Sequence, residues 1–398
     1  MNKFYILLLC LLLLIYFYKK HYGVFKKIYY ISQEWIIKKI SNSFPETYFS
    51  LPELSEDNSQ ENLDVLSDSV LDDLLEPVIY YKNLPGKNIR KSITLSIGEK
   101  FNINQDLINF TYQFIDDLHN ASLIIDDIQD NSQLRRNAPT CHLKYGIPMS
   151  IGAASLFIFK KLKEYNHKVL SIIDYDIFKK KKNEYRFLDP KVIKMHVHYL
   201  LSNKILNMIY LMNLGQQLDV YWTYKKEIPS IQEYYYMIEN KTGKLFTIII
   251  EIFYELTNNI SHSEYNKYIT LLNKLALFFQ IRDDYINLTD PTYWKAKGFC
   301  EDFDEKKYSF ILIHFYHDNT INQNQKERFF KLFNKKKLSI KKKFKLLKIM
   351  NQSNSIHYTY QYLTNLQKEI QELRLPTHKL QVLPFDIKDA YLFTTLNK

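Results

Sequence analysis

Glycine and cysteine are the scarce residues of this chain. Its 398 residues include 8 glycines, 11 prolines and 3 cysteines. So few turn-formers leave little material for the tight turns of a strand-rich protein, and a mainly helical one is expected. Cys10, Cys141 and Cys300 stand far apart with no Cys-x-x-Cys pair. That spacing argues against a zinc site and a disulfide framework and fits a reducing compartment. Basic residues are missing between Lys39 and Lys82, where acids collect from Glu46 to Glu76 among Ser, Asn and Pro. This is the composition of a solvated linker running into a first helix. The net charge is nonetheless +11. Many of the lysines cluster at Lys179–Lys182 and Lys335–Lys348, with no aromatic-glycine pattern of an RNA-binding module nearby, so no nucleic-acid partner is expected.

What is plentiful is apolar material, at 46% of the chain, enough for one large helical core. From Asn83 onward the apolar residues recur at helical spacing. Phe4–Tyr18 is an uninterrupted apolar run followed by Lys19, Lys20, Lys26 and Lys27, with no small-residue cleavage pattern after it. It reads as a retained N-terminal hydrophobic anchor helix, short against the roughly 20 residues of a full span. Positive charge is heavier on its downstream side, which places the body of the protein in the cytosol, with the endoplasmic reticulum as the default membrane. The expected organisation is a membrane anchor at 1–27, an acidic linker at 28–73 and one domain at 74–398.

The densest chemistry lies in Leu118–Arg136, LHNASLIIDDIQDNSQLRR. On a helix Asp126 and Asp130 are i and i+4 neighbours and share one side, with Asp127 flanking them. Carboxylates this close repel one another unless a cation sits among them. Hard oxygen donors at this density suit Mg2+, which binds through few carboxylates plus substrate phosphates. Arg135 and Arg136 then set guanidinium groups, good phosphate partners, just past the acidic end. A second apolar segment, FFQIRDDYIN at Phe278–Asn287, brings Asp283 and Asp284. Two acidic helices facing one cavity could hold a metal-bound diphosphate and stabilise it as it leaves. Two weaker acidic groups lack the rest of this pattern. Asp72, Asp73 and Glu76 are followed by Pro77 and no arginine pair, so they read as an acidic helix start. Asp116 and Asp117 have no acid at i+4 and read as a polar face.

Seven ordered blocks carry a family resemblance: LPGKNIR (Leu84–Arg90), LHNASLIIDDIQDNSQLRR, YGIP (Tyr145–Pro148), GQQLDVYW (Gly215–Trp222), KTGKLF (Lys241–Phe246), FFQIRDDYIN and KGFCEDFDEKKYSF (Lys297–Phe310). From about Leu74 to about Leu373 the chain resembles the short-chain trans-polyprenyl diphosphate synthases, most of all the eukaryotic geranylgeranyl diphosphate synthases. The resemblance implies an all-α fold, an isoprenoid-synthase-type helical bundle around a central cavity. It also implies head-to-tail condensation of isopentenyl diphosphate with an allylic diphosphate, farnesyl diphosphate first among them, to geranylgeranyl diphosphate. Mg2+ is the implied cofactor and a homo-oligomer the implied assembly. Against the family pattern there is extra sequence between Lys160 and Val197, with a Lys-rich insertion near 175–190 expected as a surface loop.

Residue by residue, the resemblance makes Asp126, Asp127, Asp130, Asp283 and Asp284 the metal-facing acids and adds Lys241 to the catalytic set. Lys87, Arg90, His119 and Arg136 match the residues that hold isopentenyl diphosphate. Arg135, Lys241, Thr242, Gln280, Lys297 and Lys307 match those around the allylic diphosphate. Asn287, where many relatives have a third acid, matches the eukaryotic geranylgeranyl subclass. The Lys241-Thr242-Gly243 run also predicts a local helix break. Gln217, Lys244, Lys306 and Ile311 depart from the pattern, and the two lysines are expected to add positive charge beside the substrate. Chain length is expected to be set by Ala121 and Ser122, small residues one turn before Asp126, and by a deeper floor at Ile158, Phe159 and Asn213. Two other readings compete: a terpene synthase derived from this scaffold, which could lose the isopentenyl site, and a non-catalytic regulatory subunit that binds prenyl diphosphate, which should show eroded carboxylates.

Overall fold

The computed structural model describes residues 68–86, 88–172 and 189–373. The apolar run Phe4–Tyr18, most of the acidic linker, Lys87 and the Lys-rich insertion up to residue 188 lie outside the described residues. The chain divides into two compact units, Met1–Leu71 and Asp72–Lys398. Of the first only the opening of one helix is described, so the account below concerns the second.

That unit is helical, as expected. Helix α1 (Asp68–Asn83) runs through Pro77, held down by buried Leu75, Val78 and Tyr81; packing outweighs the lost backbone donor. Helix α2 (Ile89–Lys100) leads to α3 (Gln105–Gln129), which Asn104 caps by accepting the Asp106 amide. Buried Leu107, Ile108, Thr111, Phe114, Ile115, Leu118, Ala121 and Ile124 form the apolar stripe that fixes the rotation of α3 and hence of its terminal aspartates. A two-residue antiparallel hairpin, β1 (Leu134–Arg135) and β2 (Ala138–Pro139), follows. It is the one addition to an all-α expectation among the described residues. Arg136 and Asn137 both take positive φ at its tip, 55° and 66°, as a tight primed turn requires.

Helices α4 (Cys141–Tyr145), α5 (Ile147–Ile172) and α6 (Pro190–Lys225) come next, then α7 (Ile231–Ile238). A π-helical turn (Glu239–Gly243) passes directly into α8 (Lys244–Leu256). Ile248, Ile249, Ile250, Ile252 and Phe253 of α8 are all buried, so this helix is enclosed rather than amphipathic. Helix α9 (His262–Thr289) starts in a Ser261–Glu264 capping box and packs against α8, the π-turn and α15. Its last two turns are buried almost throughout, with Asp283 exposed. The chain closes with α10 (Pro291–Lys297), α11 (Glu301–Glu305), α12 (Phe310–His317), α13 (Gln323–Phe333), α14 (Ile340–Gln352) and α15 (Ser355–Glu372). Among the described residues no helix is long and apolar enough to cross a membrane. A cavity of about 730 Å3 opens between α2, α3, α6, the π-turn and α9.

Candidate active site

The end of α3 presents its three aspartates in different ways. Asp126 and Asp130 line the cavity, whereas Asp127 is fully buried. The β-hairpin turns the chain back so that Arg135 donates from Nε to both Asp127 oxygens, at 3.1 and 2.9 Å, and Tyr81 donates its hydroxyl to the same carboxylate. Arg135 Nη2 also stands 3.4 Å from Asp126 Oδ2. Asp127 therefore aims the arginine. Burial works to raise the Asp126 carboxyl, but the Lys241 and Arg135 charges outweigh it and hold the group below the usual carboxylate range. Asp130 has the opposite fate: burial, then the Asp126 charge, push it well above that range.

Lys241 comes from the π-helical turn, which is the form the expected break at Lys241-Thr242-Gly243 takes. One extra residue in the turn, a feature frequent at functional sites, accompanies a very close approach of α6. A Cβ on Gly215 would lie 2.3 Å from the Lys241 nitrogen and 2.9 Å from its Cα, so only glycine fits at that crossing. The Lys241 ammonium stands 2.8 Å from Asp219 Oδ2 and 3.2 Å from Asp126 Oδ1. Burial would lower its proton affinity, yet Asp126 and Asp219 raise it, so it stays charged.

The second acidic cluster pairs an exposed aspartate with a buried one, both on the cavity wall. Asp283 is exposed and lines the cavity. Asp284, buried, accepts the Tyr234 hydroxyl at 2.5 Å, the Phe310 amide at 2.9 Å and Gln280 Nε2 at 3.2 Å. Lys307 Nζ is 3.5 Å from its other side, and Thr242 Oγ1 donates to Gln280 at 3.2 Å. Asn287 does not face the cavity; its Oδ1 accepts the Asp302 amide at 3.3 Å and its carbonyl accepts the Trp294 indole at 2.7 Å. It pins α10 and α11, and with them Lys297 and Lys307 on the cavity wall.

A second pole of the same cavity is electrically different. Arg90, His119 and Arg136 line it. Burial pushes Arg90 down to about 10 and lowers Arg136 as well, and it holds His119 well below the usual imidazole range. Arg90 Nε is buried with no hydrogen-bond acceptor among the described residues, and its guanidinium lies 5.0 Å over the Phe246 ring. Arg136 donates to the Tyr81 and Leu84 carbonyls at 3.3 and 3.1 Å. This pole carries more cations than acids, with Asp116 the acid that acts on both arginines. The other pole mixes Asp126, Asp130 and Asp283 with Arg135, Lys241, Lys297 and Lys307.

The polyprenyl synthetase family pattern matches residues 72–350. The chain belongs to the polyprenyl synthetase family. It is 35% identical over 250 residues to a geranylgeranyl pyrophosphate synthase of Aspergillus flavus, a match covering 62% of this chain and 63% of that protein. It is 31% identical over 309 residues to a geranylgeranyl pyrophosphate synthase of Mucor circinelloides f. lusitanicus, covering 77% and 88%. It is also 29% identical over 300 residues to a talaropentaene synthase of Talaromyces verruculosus, covering 74% of this chain and 40% of that protein. The chain thus spans less than two thirds of the Aspergillus relative.

In this chain the donor chemistry fits Mg2+ in one specific way. Among the described residues no three acidic, histidine or cysteine side chains converge tightly enough to hold a metal unaided. Asp126 and Asp130 on one wall and Asp283 on another are oxygen donors facing a shared space, which suits an ion that takes only one or two carboxylates and completes its shell with phosphate and water. Asp127 and Asp284, expected to face the metal, are both buried and hydrogen-bonded by the protein; Asp284 borders the cavity and Asp127 does not.

The chain-length residues also separate. Ser122, Ile158 and Asn213 line the cavity, joined by Ile209 and Met212. Ala121 is fully buried in the stripe of α3 and Phe159 is 70% exposed; neither is part of the cavity wall. One residue turns the side chain about 100° around a helix, enough to exchange wall for core. Lys244 and Lys306, expected beside the substrate, are absent from the wall too. Lys244 pairs with Glu239 at 3.4 Å. Lys306, at φ 60°, donates to the Phe303 carbonyl and lies over Phe333.

Sequence reasoning overlooked several residues. Asp116, read as a polar face, lines the cavity, and buried Asp117 pairs with Lys82 and Lys161. Tyr81 and Tyr234, the phenols that fix the second aspartate of each cluster, carried no local signal.

Proposed function

We propose that the protein is a trans-prenyltransferase that joins isopentenyl diphosphate to an allylic diphosphate, farnesyl diphosphate foremost, and forms geranylgeranyl diphosphate with Mg2+. The carrying observation is one cavity with a basic pole and a second pole that mixes acids with cations. A metal-free diphosphate suits the Arg90–His119–Arg136 pole, and a cation-bearing diphosphate suits the Asp126–Asp130–Asp283 pole.

Mg2+ bound at the acidic pole would neutralise the allylic diphosphate and draw off its negative charge as the carbon–oxygen bond breaks. The chain supplies the rest. Arg135, Lys241, Lys297 and Lys307 surround the diphosphate oxygens and stabilise charge as it develops there. Arg90, Arg136 and His119 hold the second diphosphate and so orient its double bond toward the allylic carbon. Leu245, Phe246 and Phe279 provide apolar wall that excludes water from the cation. No nucleophilic side chain is required.

The talaropentaene synthase relative raises the alternative of a terpene synthase. The retained basic pole favours a second diphosphate substrate over that reading, and the intact acidic clusters disfavour a non-catalytic subunit. Incubation with isopentenyl diphosphate, a series of allylic diphosphates and Mg2+, followed by sizing of the prenyl alcohols, tests the reading. Geranylgeraniol supports it; a hydrocarbon formed without isopentenyl diphosphate refutes it.

The N-terminal apolar run and its trailing lysines support a membrane anchor, with the catalytic domain in the cytosol at the endoplasmic reticulum. A homo-oligomer is supported by a stripe of exposed Met195, Tyr199, Leu206 and Tyr210 along α6, with Phe159 of α5 exposed as well. Sedimentation equilibrium distinguishes a monomer from an oligomer.

A further inference from the structure

The α13–α14 hairpin has no part in the cavity, yet it carries the most one-sided charge of the described surface. Between Arg328 and Lys348 stand ten basic residues and no acid. An ordinary solvated helix face mixes signs and so pairs its own charges. Here Lys335, Lys336, Lys337, Lys341, Lys345 and Lys348 are all exposed. Among them two large apolar side chains also face outward, Ile340 at 65% and Phe344 at 37% exposure. The opposite face of α14 is conventional: Leu346, Leu347 and Met350 are buried in the core.

The hairpin is firmly mounted. Lys343, the one lysine of its run turned inward, donates to the Phe299 carbonyl at 2.5 Å and pairs with Asp304. The Phe344 ring lies 4.8 Å from that of Phe299. The basic face is thereby fixed to the α10–α11 segment that carries Lys297 and Lys307.

We propose that this hairpin docks on an anionic lipid bilayer, with Ile340 and Phe344 entering the headgroup region and the surrounding lysines facing lipid phosphates and carboxylates. A rigid helix end with apolar residues ringed by lysines has the composition of an interfacial membrane helix. Four to eight clustered cations attract an acidic leaflet. A folded acidic protein would complement the lysines and leave Ile340 without an apolar environment. The surface is separate from the N-terminal run and independent of the catalytic reading.

The test uses the full-length chain and a local reporter, so that an N-terminal anchor cannot produce the signal. Ile340→Trp places an indole at the most exposed apolar position. Vesicles of brominated phosphatidylcholine, with or without phosphatidylserine, then report its depth by quenching of the emission added over wild type. Quenching in the phosphatidylserine vesicles, weak in phosphatidylcholine alone and abolished by 1 M salt, is expected. Replacing Lys335, Lys336, Lys337, Lys341 and Lys345 by Gln should weaken the vesicle affinity read from that quenching roughly fivefold per charge removed, while turnover on soluble substrates stays at the parent level. Equal quenching in both vesicles, or none in either, overturns the proposal. So does a hairpin that binds an RNA duplex through these lysines and leaves the added indole unquenched by lipid.

Discussion

The Lys241 ammonium stands 3.2 Å from Asp126 Oδ1, and so ties the π-helical turn to the first aspartate of the acidic motif. The same ammonium is shared with Asp219. Removing it leaves Asp219 without its ion-pair partner and Asp126 with only Arg135, at 3.4 Å. Lys241→Met should lower stability by about 3–5 kcal/mol, the cost of breaking a buried pair from one side, and abolish turnover. Thermal denaturation followed by circular dichroism measures the first effect. An unchanged midpoint would show that Lys241 does not brace the site.

Adjacent aspartates on α9 should behave as opposites. Asp283→Ala removes an exposed carboxylate and should abolish turnover while leaving the melting temperature near the parent value. Asp284→Ala leaves Tyr234, Lys307 and the Phe310 amide without their acceptor, so it should destabilise the fold by several kcal/mol, roughly 3 or more. Paired melting and activity measurements separate the two. Equal destabilisation by both would contradict the assigned roles.

Product length should respond to Ser122 and not to its neighbour. Ser122→Phe puts a ring into the cavity and should shorten the main product to farnesyl diphosphate. Ala121→Phe overfills the core stripe of α3 and should cost about 1–3 kcal/mol of stability instead. Phe159→Ala should leave product length unchanged, since that ring is outside the wall. Chromatography of the dephosphorylated products checks all three.

Much of this site was legible because α3 and α9 carry their acids at helical spacing. Asp126 and Asp130 reach the cavity as an i, i+4 pair, and the apolar stripe beneath them sets that rotation. What local spacing could not show is which acids the fold consumes. Tyr81 meets Asp127 from 46 positions away and Tyr234 meets Asp284 from 50. Asp117 looked idle because its partners, Lys82 and Lys161, come from two other helices. Ala121 and Phe159 were misplaced by one step of helical rotation from Ser122 and Ile158, a difference that only packing resolves. The break at Lys241-Thr242-Gly243 was visible as a weak point, but its form as a π-turn depends on the close approach of Gly215.

His119 gives the fold a pH dependence. Burial, aided by Arg90 and Arg136, lowers its folded-state pKa well below 6.5. The unfolded chain therefore takes up a proton that the folded chain refuses, and stability falls as pH drops below about 6.5. His119→Gln should flatten this part of the curve, measured as the difference in urea midpoint from the parent between pH 7 and 5. A difference that stays constant across that range would mean that His119 titrates normally.

The two-pole account is tested most directly by calorimetric binding of each substrate with and without metal. Isopentenyl diphosphate should bind in EDTA, and Arg90→Met should weaken it about ten- to hundredfold, the loss of one charge-assisted contact. A non-hydrolysable thio-analogue of farnesyl diphosphate should bind only when Mg2+ is added and should be little affected by Arg90→Met. If both ligands need Mg2+, or both bind equally without it, the two poles do not differ in this way and the proposed division of substrates is wrong.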